Sequence, residues 1–175
     1  GILTGRDLQG LDLTGVSFLN ANLTGATLRG STLSTVGNEA VFTGANLTRT
    51  DLRGVVVGAD TVLFNLTNLT EAWLTNTDFG TASFAGANFT RATLSGADLT
   101  TVDLGGTPTF SGTYYTSTAT FAGGIAPAGT LLITTANDYV GVNLTRLNLS
   151  ISMSGSTIDF SNAILTDALI DPCLS

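Results

Sequence analysis

The sequence contains no lysine and no histidine, and its 175 residues include a single cysteine. Without histidine the chain has no imidazole to serve as a general base or a metal ligand, and without lysine it can form neither a Schiff base nor a Walker-type phosphate site. Cys173 alone can form neither an internal disulfide nor a thiolate cluster. We therefore expect no catalytic residue, no cofactor and no metal site.

Charged residues are also scarce, at 11% of the chain, against roughly a quarter in ordinary soluble domains. Six basic residues, all arginine, oppose thirteen acids, and the net charge of -7 argues against nucleic acid as a partner. No apolar run reaches the ~18 residues of a membrane span. A chain of this length predicts one domain with a substantial core.

The chain starts at Gly1 without a methionine or a basic, apolar signal segment, as expected of a processed mature protein. Threonine is abundant while lysine is absent. We expect this composition in an extracellular or extracytoplasmic protein.

A large apolar residue recurs at every fifth position through most of the sequence. The residue two places before it is small or apolar, usually alanine, and the residue between them is Asp, Asn, Ser or Thr. The large positions are Leu8 to Leu33, Phe42 to Val57 and Phe64 to Leu104 in steps of five, then more loosely Tyr139, Leu144, Leu149, Phe160, Leu165 and Ile170. Such internal repetition indicates a repeat architecture.

A period of five fits neither the 3.6-residue helix nor a long alternating strand. Two apolar residues with a polar one between them are typical of a very short strand, which points its apolar pair inward and the middle residue outward. The remaining two residues turn a corner. One such unit cannot bury its apolar pair alone, so successive units have to stack.

Four quintets carry a family resemblance: Ala21–Gly25, Ala45–Arg49, Ala87–Arg91 and Ala97–Thr101. They resemble the pattern [STAV][DN][LF][STR]G of the pentapeptide-repeat family, and the likeness extends over about three quarters of the chain. The resemblance implies an all-β fold, a right-handed quadrilateral parallel β-helix with four quintets per coil and about six to seven coils.

A coil of twenty residues predicts which side chains stack above one another in the core. The columns are Phe64 with Phe84 and Leu104, Leu69 with Phe89, Leu74 with Leu94, and Phe79 with Leu99.

Three breaks interrupt the repeat. Four extra residues between Leu33 and Phe42 predict a bulge at a corner, and two more precede Phe64. The third break divides one continuous domain into a β-helix at 1–104, an inserted β-rich loop or hairpin at 105–136, and final coils at 137–175. The inserted segment either covers a face of its own rod or reaches a partner, because tyrosines on loops suit interfaces.

Polar residues of the repeat suggest several chemistries, none with a second supporting signal. Asp78 and Asp98 are twenty residues apart, and paired carboxylates hydrolyse glycosides, but the repeat places Asp or Asn there to bond backbone groups. The pair lacks the loop of a calcium site.

A flat ladder of threonines could bind ice, and Thr70 and Thr90 are predicted to stack. However, Gly80, Arg53 and Ala85 occupy equivalent positions, so we expect the ladder to be interrupted and unsuited to binding ice. Seven Asn-x-Thr/Ser sequons arise from the repeat itself: Asn22, Asn46, Asn65, Asn68, Asn88, Asn143 and Asn148.

We hypothesise from these features a non-enzymatic structural scaffold that self-associates. Stacked coils leave unpaired strand edges, and end-to-end contacts that do not close produce filaments. The candidate assembly interface comprises Ile2, Leu3, Phe110, Tyr114, Tyr115, Phe121, Ile170 and Leu174.

Two alternatives come from the family resemblance. Some members are similar to B-form DNA in size and charge and bind DNA gyrase as mimics, and the acidic net charge has the matching sign, although thirteen acids are sparse. The second alternative is a periplasmic or lumenal scaffold that binds another protein.

Overall fold

The chain forms a right-handed, four-sided parallel β-helix, which confirms the predicted fold class. The computed structural model describes residues 1–58, 60–116, 119–133, 148–152 and 169–173. In the fourth coil Leu69, Leu74, Phe79 and Phe84 point inward from the four sides, and we name these sides faces A, B, C and D in that order. Residues joined by isolated bridges between neighbouring coils are 20 to 24 positions apart.

Most pairing consists of isolated bridges, because each side of a coil is only a few residues long. Longer strands form where the coils depart from the simple repeat. The strands in the described ranges are β1 Ser34–Thr35, β2 Asn38–Glu39, β3 Asp98–Leu99, β4 Thr113–Thr116, β5 Thr120–Phe121, β6 Thr130–Ile133, β7 Asn148–Ser152 and β8 Leu169–Cys173, with one 3₁₀ turn at Ala122–Gly124.

Most corners are tight turns closed by a backbone hydrogen bond. The amide of Ala26 donates to the carbonyl oxygen of Leu23 at 2.9 Å, and Gly25 between them has φ of 66°. Glycine adopts this left-handed conformation without steric penalty, which explains why the quintet often ends in glycine. Within the described ranges, six other corners hold a non-glycine residue in the same region: Asn20, Arg49, Leu66, Glu71, Asn76 and Arg91.

Neighbouring coils are joined by parallel backbone hydrogen bonds on every side. The amide of Leu23 donates to Asn46 at 2.8 Å, and the amide of Asn46 donates back to Ala21 at 2.8 Å. The same two-way pattern repeats along the stack, so the backbone polar groups buried between coils are paired.

The inward side chains form the core in continuous columns. On face D the rings of Phe18, Phe42, Phe64 and Phe84 lie parallel, with successive centroids 4.8, 4.9 and 4.8 Å apart. Phe79 meets Phe84 edge-on at 5.1 Å. Both arrangements are favourable for aromatic pairs.

The side chains of the predicted core columns lie above one another in neighbouring coils, and nearly all of them are buried. Bridges between adjacent outward residues place each predicted pair in neighbouring coils. Leu104 follows Phe84 but is only half-buried. The remaining members are completely buried: Phe64, Phe84, Leu69, Phe89, Leu74, Leu94, Phe79 and Leu99.

Several inward positions hold a hydroxyl where the repeat prefers alanine. The hydroxyl of Thr50 donates to the carbonyl oxygen of Leu23 at 2.9 Å, and that of Thr113 donates to Phe89 at 2.6 Å. These bonds offset the free energy of burying a polar group, so threonine is compatible with the core.

The four extra residues after Leu33 leave the coil as a small hairpin at the corner between faces C and D. β1 pairs with β2 antiparallel across Val36 and Gly37. The amide of Gly37 donates to the carboxylate of Asp60. Val41 pairs with Ser17 beyond the hairpin, so the insertion does not disturb the register.

The described residues 105–116 and 119–133 pair in parallel with other coils of the stack, whereas the sequence predicts an inserted loop or hairpin at 105–136. Thr109 bridges to Asn88 and Tyr114 to Thr93, 21 residues earlier in each case. β5 pairs with β3, and β6 with β4, in parallel, whereas a hairpin pairs antiparallel. The described part of this segment lies on its own rod.

The predicted final coils are described only at two strands. β7 and β8 pair in parallel, with Asn148 opposite Leu169. Tyr139, Leu144, Phe160 and Leu165 lie outside the described residues, so the boundary at 137 stays a prediction.

We expect Phe84→Ala to lower the free energy of unfolding by about 3–5 kcal/mol, because it opens a cavity inside a closely packed column. Urea unfolding measures the effect. Val36→Ala is the matched control, since Val36 is 82% exposed and its loss should change stability by less than about 0.5 kcal/mol. Equal effects of the two substitutions would contradict the column.

We expect Leu66→Asn to raise the free energy of unfolding by about 0.5–1 kcal/mol, because asparagine tolerates the left-handed region better than leucine. Leu66 has φ of 56° and is 69% exposed. Leu19→Asn is the control, because Leu19 is also exposed but is not among the residues with positive φ. An equal change in both variants would show that backbone strain is not the cause.

Candidate functional site

The residues of the predicted assembly interface do not form one surface. Ile2 is 83% exposed and Leu3 half-buried in the first coil. Ile170 belongs to β8, where only the backbone is described, and Leu174 lies outside the described residues. The aromatic members occupy a different part of the rod, and most are buried: Phe110 (4% exposed), Tyr114 (4%) and Phe121 (6%), with Tyr115 half-buried.

These aromatic residues are buried because they continue the core. Phe110 stacks on Phe89 with centroids 4.7 Å apart, and Tyr115 meets Phe121 edge-on at 5.1 Å. Burial also raises the pKa of the Tyr114 phenol, partly offset by the positive charge of Arg91. The buried side chains of Phe110, Tyr114 and Phe121 are therefore not available to a partner, whereas Tyr115 is only half-buried.

Face A carries a ladder of asparagine and threonine. Asn22, Asn46, Asn68 and Asn88 lie in register. The Oδ1 atom of each accepts a hydrogen bond from the amide, and a second from the hydroxyl, of the threonine two residues later, the hydroxyl bonds measuring 2.6–2.7 Å. Four of the sequons are therefore structural elements of the turn.

The threonine column on face A is continuous, contrary to the predicted interruption. Thr24, Thr48, Thr70 and Thr90 follow one another, and Gly80, Arg53 and Ala85 lie on other faces. The interruption was predicted because the sequence period does not show which corner is which. Each hydroxyl donates to its own asparagine, so its hydrogen does not point outward.

The corner between faces A and B carries three stacked charges of alternating sign. Arg49 Nε lies 2.8 Å from Glu71 Oε2, and Arg91 Nε lies 3.8 Å from Glu71 Oε1. The Glu71 side chain is only 12% exposed. The two arginines, one from each neighbouring coil, compensate the negative charge of the Glu71 carboxylate. The sequence analysis did not predict this group.

Face B holds a second arginine cluster. Arg53 contacts the Asp51 carboxylate through two nitrogens, at 2.9 and 2.7 Å. Its guanidinium also lies over the Trp73 ring, 5.4 Å from the centroid, within the range of a cation–π contact. The cluster orders outward side chains over two coils.

Face C brings Asp78 and Asp98 together in adjacent coils, as predicted. Asp78 accepts a bond from the amide of Gly80 at 2.8 Å, and Asp98 accepts one from the amide of Thr100 at 2.9 Å. The Thr100 amide, followed by its hydroxyl, holds the pKa of Asp98 below its ordinary value. Glycoside hydrolysis needs one carboxyl with a raised pKa, and the Asp98 shift has the opposite sign.

The described residues contain no group of three or more Asp, Glu, His or Cys side chains that could hold a metal ion. A cleft of about 510 Å³ lies beside β5, lined by Tyr115, Phe121 and small residues without a charged side chain. Nowhere in the described ranges is there a helix with the length and apolarity needed to cross a membrane.

Charges are distributed unequally around the rod. Faces A and B, with the corner between them, carry five of the six arginines and three acids, whereas faces C and D carry six acids and no arginine. Arg146 lies outside the described residues. The acids of faces C and D are Asp12, Glu39, Asp60, Asp78, Asp98 and Asp103.

The sequence model of pentapeptide repeats matches the chain in eight copies, over residues 3–34, 35–56 and 64–106. These ranges cover more than half of the chain. No curated protein matches significantly.

Three solved structures illustrate the likeness. A pentapeptide repeat protein (Rfr23) of the cyanobacterium Cyanothece 51142 has 23% identity, 69% of this chain and 90% of that chain covered, and a TM-score of 0.39. A pentapeptide repeat protein of the Arabidopsis thaliana thylakoid lumen has 28% identity, with 58% of this chain and 70% of that chain covered and a TM-score of 0.29. HetL of Nostoc sp. strain PCC 7120, a protein involved in heterocyst differentiation regulation, has 25% identity, with 97% of this chain and 68% of that chain covered and a TM-score of 0.31. At these scores the likenesses add nothing to the sequence match.

We expect the stability of the wild type to fall more steeply below about pH 4 than that of Asp98→Asn. Because the folded-state pKa of Asp98 is lowered, its ionised form contributes stability above the ordinary pKa, and this contribution is lost as the pH falls through the folded value. Asparagine keeps the Oδ1 acceptor but does not titrate there.

Urea unfolding across this pH range measures the effect, with the same two proteins at neutral pH as the reference. We expect the variant to be the less stable at neutral pH and the difference to shrink in acid. Parallel curves over the whole range would contradict a role for Asp98.

Proposed function

This chain belongs to the pentapeptide-repeat family, and we propose that it is a non-enzymatic structural scaffold that associates with further copies of itself. Its described surface consists of rigid faces whose outward side chains form ladders. Such a surface suits binding better than catalysis, because it positions many groups but encloses no reacting centre.

The outward carboxylates support a structural role. Asp98 bonds to Thr100 and Thr120, and Asp103 bonds to Ser83 and Gly105. These groups hold turns in place and tie neighbouring coils together.

The observation that carries self-association is the equivalence of the coil edges. Every coil offers its amides and carbonyls in the positions that the next coil uses, as Leu23 does toward Asn46. A coil of a second copy presents the same positions, so it can extend the stack by strand pairing. Residues 1–20 also expose the apolar side chains Ile2, Leu11, Val16 and Leu19.

The proposed end-to-end contact joins different edges of two copies, so it is heterologous and does not close. Repetition of such a contact produces filaments or higher oligomers. The low charge content supports this proposal by limiting repulsion between copies. The composition further supports a place outside the cytoplasm.

A mimic of DNA that binds gyrase is the weaker candidate. Duplex DNA carries one negative charge per ~1.7 Å of its axis. Five coils spaced by ~4.8 Å span more than 20 Å, so an equivalent surface needs over ten charges. Faces C and D together carry six acids.

The proposal is tested by sedimentation velocity of the full chain over a range of concentrations at high ionic strength, where apolar and backbone contacts persist. We expect the wild type to form larger species as its concentration rises. Leu11→Asp should weaken this association, because it places a charge at an apolar edge.

Val36→Asp is the matched control, since Val36 is also exposed but lies on the hairpin outside the coil. A wild type that remains monomeric at every concentration under these conditions overturns end-to-end association. Equal loss of association in both variants overturns the assignment to the edge.

A further inference from the structure

The threonine column of face A continues into a further coil at each end. The amide of Gly5 donates to the carbonyl oxygen of Thr24 at 2.9 Å, so Thr4 lies next to Thr24 in the column. At the other end the amide of Arg91 donates to the carbonyl oxygen of Ser111 at 3.0 Å. Six successive coils therefore carry a hydroxyl at the same corner position, namely Thr4, Thr24, Thr48, Thr70, Thr90 and Ser111.

The polar groups of face A are held in fixed positions. Threonine is branched at Cβ and has few χ1 choices, and in four of the coils its hydroxyl is further tied to the asparagine Oδ1 at 2.6–2.7 Å. The hydroxyl oxygens can still accept hydrogen bonds from outside. In the described part of the chain, the Nδ2 groups of Asn22, Asn46 and Asn68 donate to no other residue. Face A thus presents donors and acceptors in two parallel rows.

The spacing of these rows is close to a repeat distance of ice. Successive rings of the phenylalanine column lie 4.8–4.9 Å apart, which measures the distance between coils. Tetrahedral water joined by O–H···O bonds of about 2.75 Å has second-neighbour oxygens about 4.5 Å apart. The two periods differ by about 0.3 Å per coil, so the six coils stay within about a third of one ice period.

We propose that face A is an ice-binding surface, on which the two rows order water molecules that become part of the ice lattice. Groups that are already fixed lose little entropy when they order water, and bridging water retains most of the strength of a direct hydrogen bond. The sequence predicts an interrupted ladder unsuited to ice, and the continuous column removes that objection. The inference goes beyond the structural role and does not rest on self-association, because face A is a side of the rod.

The rest of face A is compatible with a flat contact. The hairpin of β1 and β2 leaves the rod at the corner between faces C and D, away from face A. The charges at the corner between faces A and B are engaged with one another. Covering an unpaired charge is costly, and the outward residues of the face carry none: Ile2, Asn22, Asn46, Asn68, Asn88 and Thr109.

Two variants disrupt face A in different ways. Thr70→Tyr places a ring in the middle of the ladder and holds ice away from it, and Thr75→Tyr is the matched control, since Thr75 has the same corner position on face B of the same coil. Asn46→Asp with Asn68→Asp removes Nδ2 donors but keeps Oδ1 acceptors for the threonine amides. Circular dichroism and thermal unfolding verify that each variant folds.

The experiment measures thermal hysteresis, the gap between the melting and freezing temperatures of an ice crystal in a solution of the full chain. Incorporation of the protein into slowly grown ice is the second readout. We expect the wild type to show a gap that increases with concentration and to enter the ice. Thr75→Tyr should behave in the same way, whereas Thr70→Tyr and the double aspartate variant should lose the gap and be excluded.

A wild type that shows no gap and is excluded from ice overturns the proposal. Equal behaviour of Thr70→Tyr and Thr75→Tyr overturns the assignment to face A, and an unchanged double aspartate variant overturns the role of the Nδ2 donors. Sedimentation velocity on the same samples separates this inference from end-to-end association, because Thr70→Tyr should associate as the wild type does. A monomeric wild type that binds ice overturns only the end-to-end proposal.

Discussion

The structure depends on the stacking of coils that are too thin to fold singly. A quintet contributes two inward side chains, and these are buried only when the coils above and below are present. The parallel backbone bonds, such as the pair joining Leu23, Asn46 and Ala21, fix the vertical position of each coil. The phenylalanine column of face D, with centroids 4.8–4.9 Å apart, matches this spacing, so hydrogen bonding and aromatic packing favour the same geometry.

The same constraint determines the surface. Because inward positions are fixed by the core, an outward side chain can interact only with its neighbours along the turn and in adjacent coils. Asparagine and threonine satisfy each other within the turn, whereas Arg49, Glu71 and Arg91 compensate one another between coils. The outward side chains thus form vertical lines whose members interact with one another, and a partner meets a line rather than a pocket.

The period of five was sufficient to predict the inward frame, including Phe64, Phe84, Leu69 and Phe89, because burial selects large apolar residues regardless of the corner. It was insufficient beyond residue 104, where the intervals between paired residues change from 20 to 21, 22 and 17, so the repeat can no longer be followed in the sequence. For that reason the sequence places Phe110 and Tyr114 in a candidate assembly interface rather than in the core. The Arg49–Glu71–Arg91 line was missed because its members are 22 and 20 residues apart.

The hairpin of β1 and β2 has a consequence for engineering. Leu33 on one side of it still donates to Val56 at 2.9 Å, and Val41 on the other side still donates to Val16 at 3.1 Å, so the corner between faces C and D admits extra chain without altering the coils. Foreign peptides grafted between Val36 and Gly37 would be displayed at a fixed height on a stiff rod. Grafts at the equivalent corners of other coils would be separated along the rod by whole multiples of the spacing between coils.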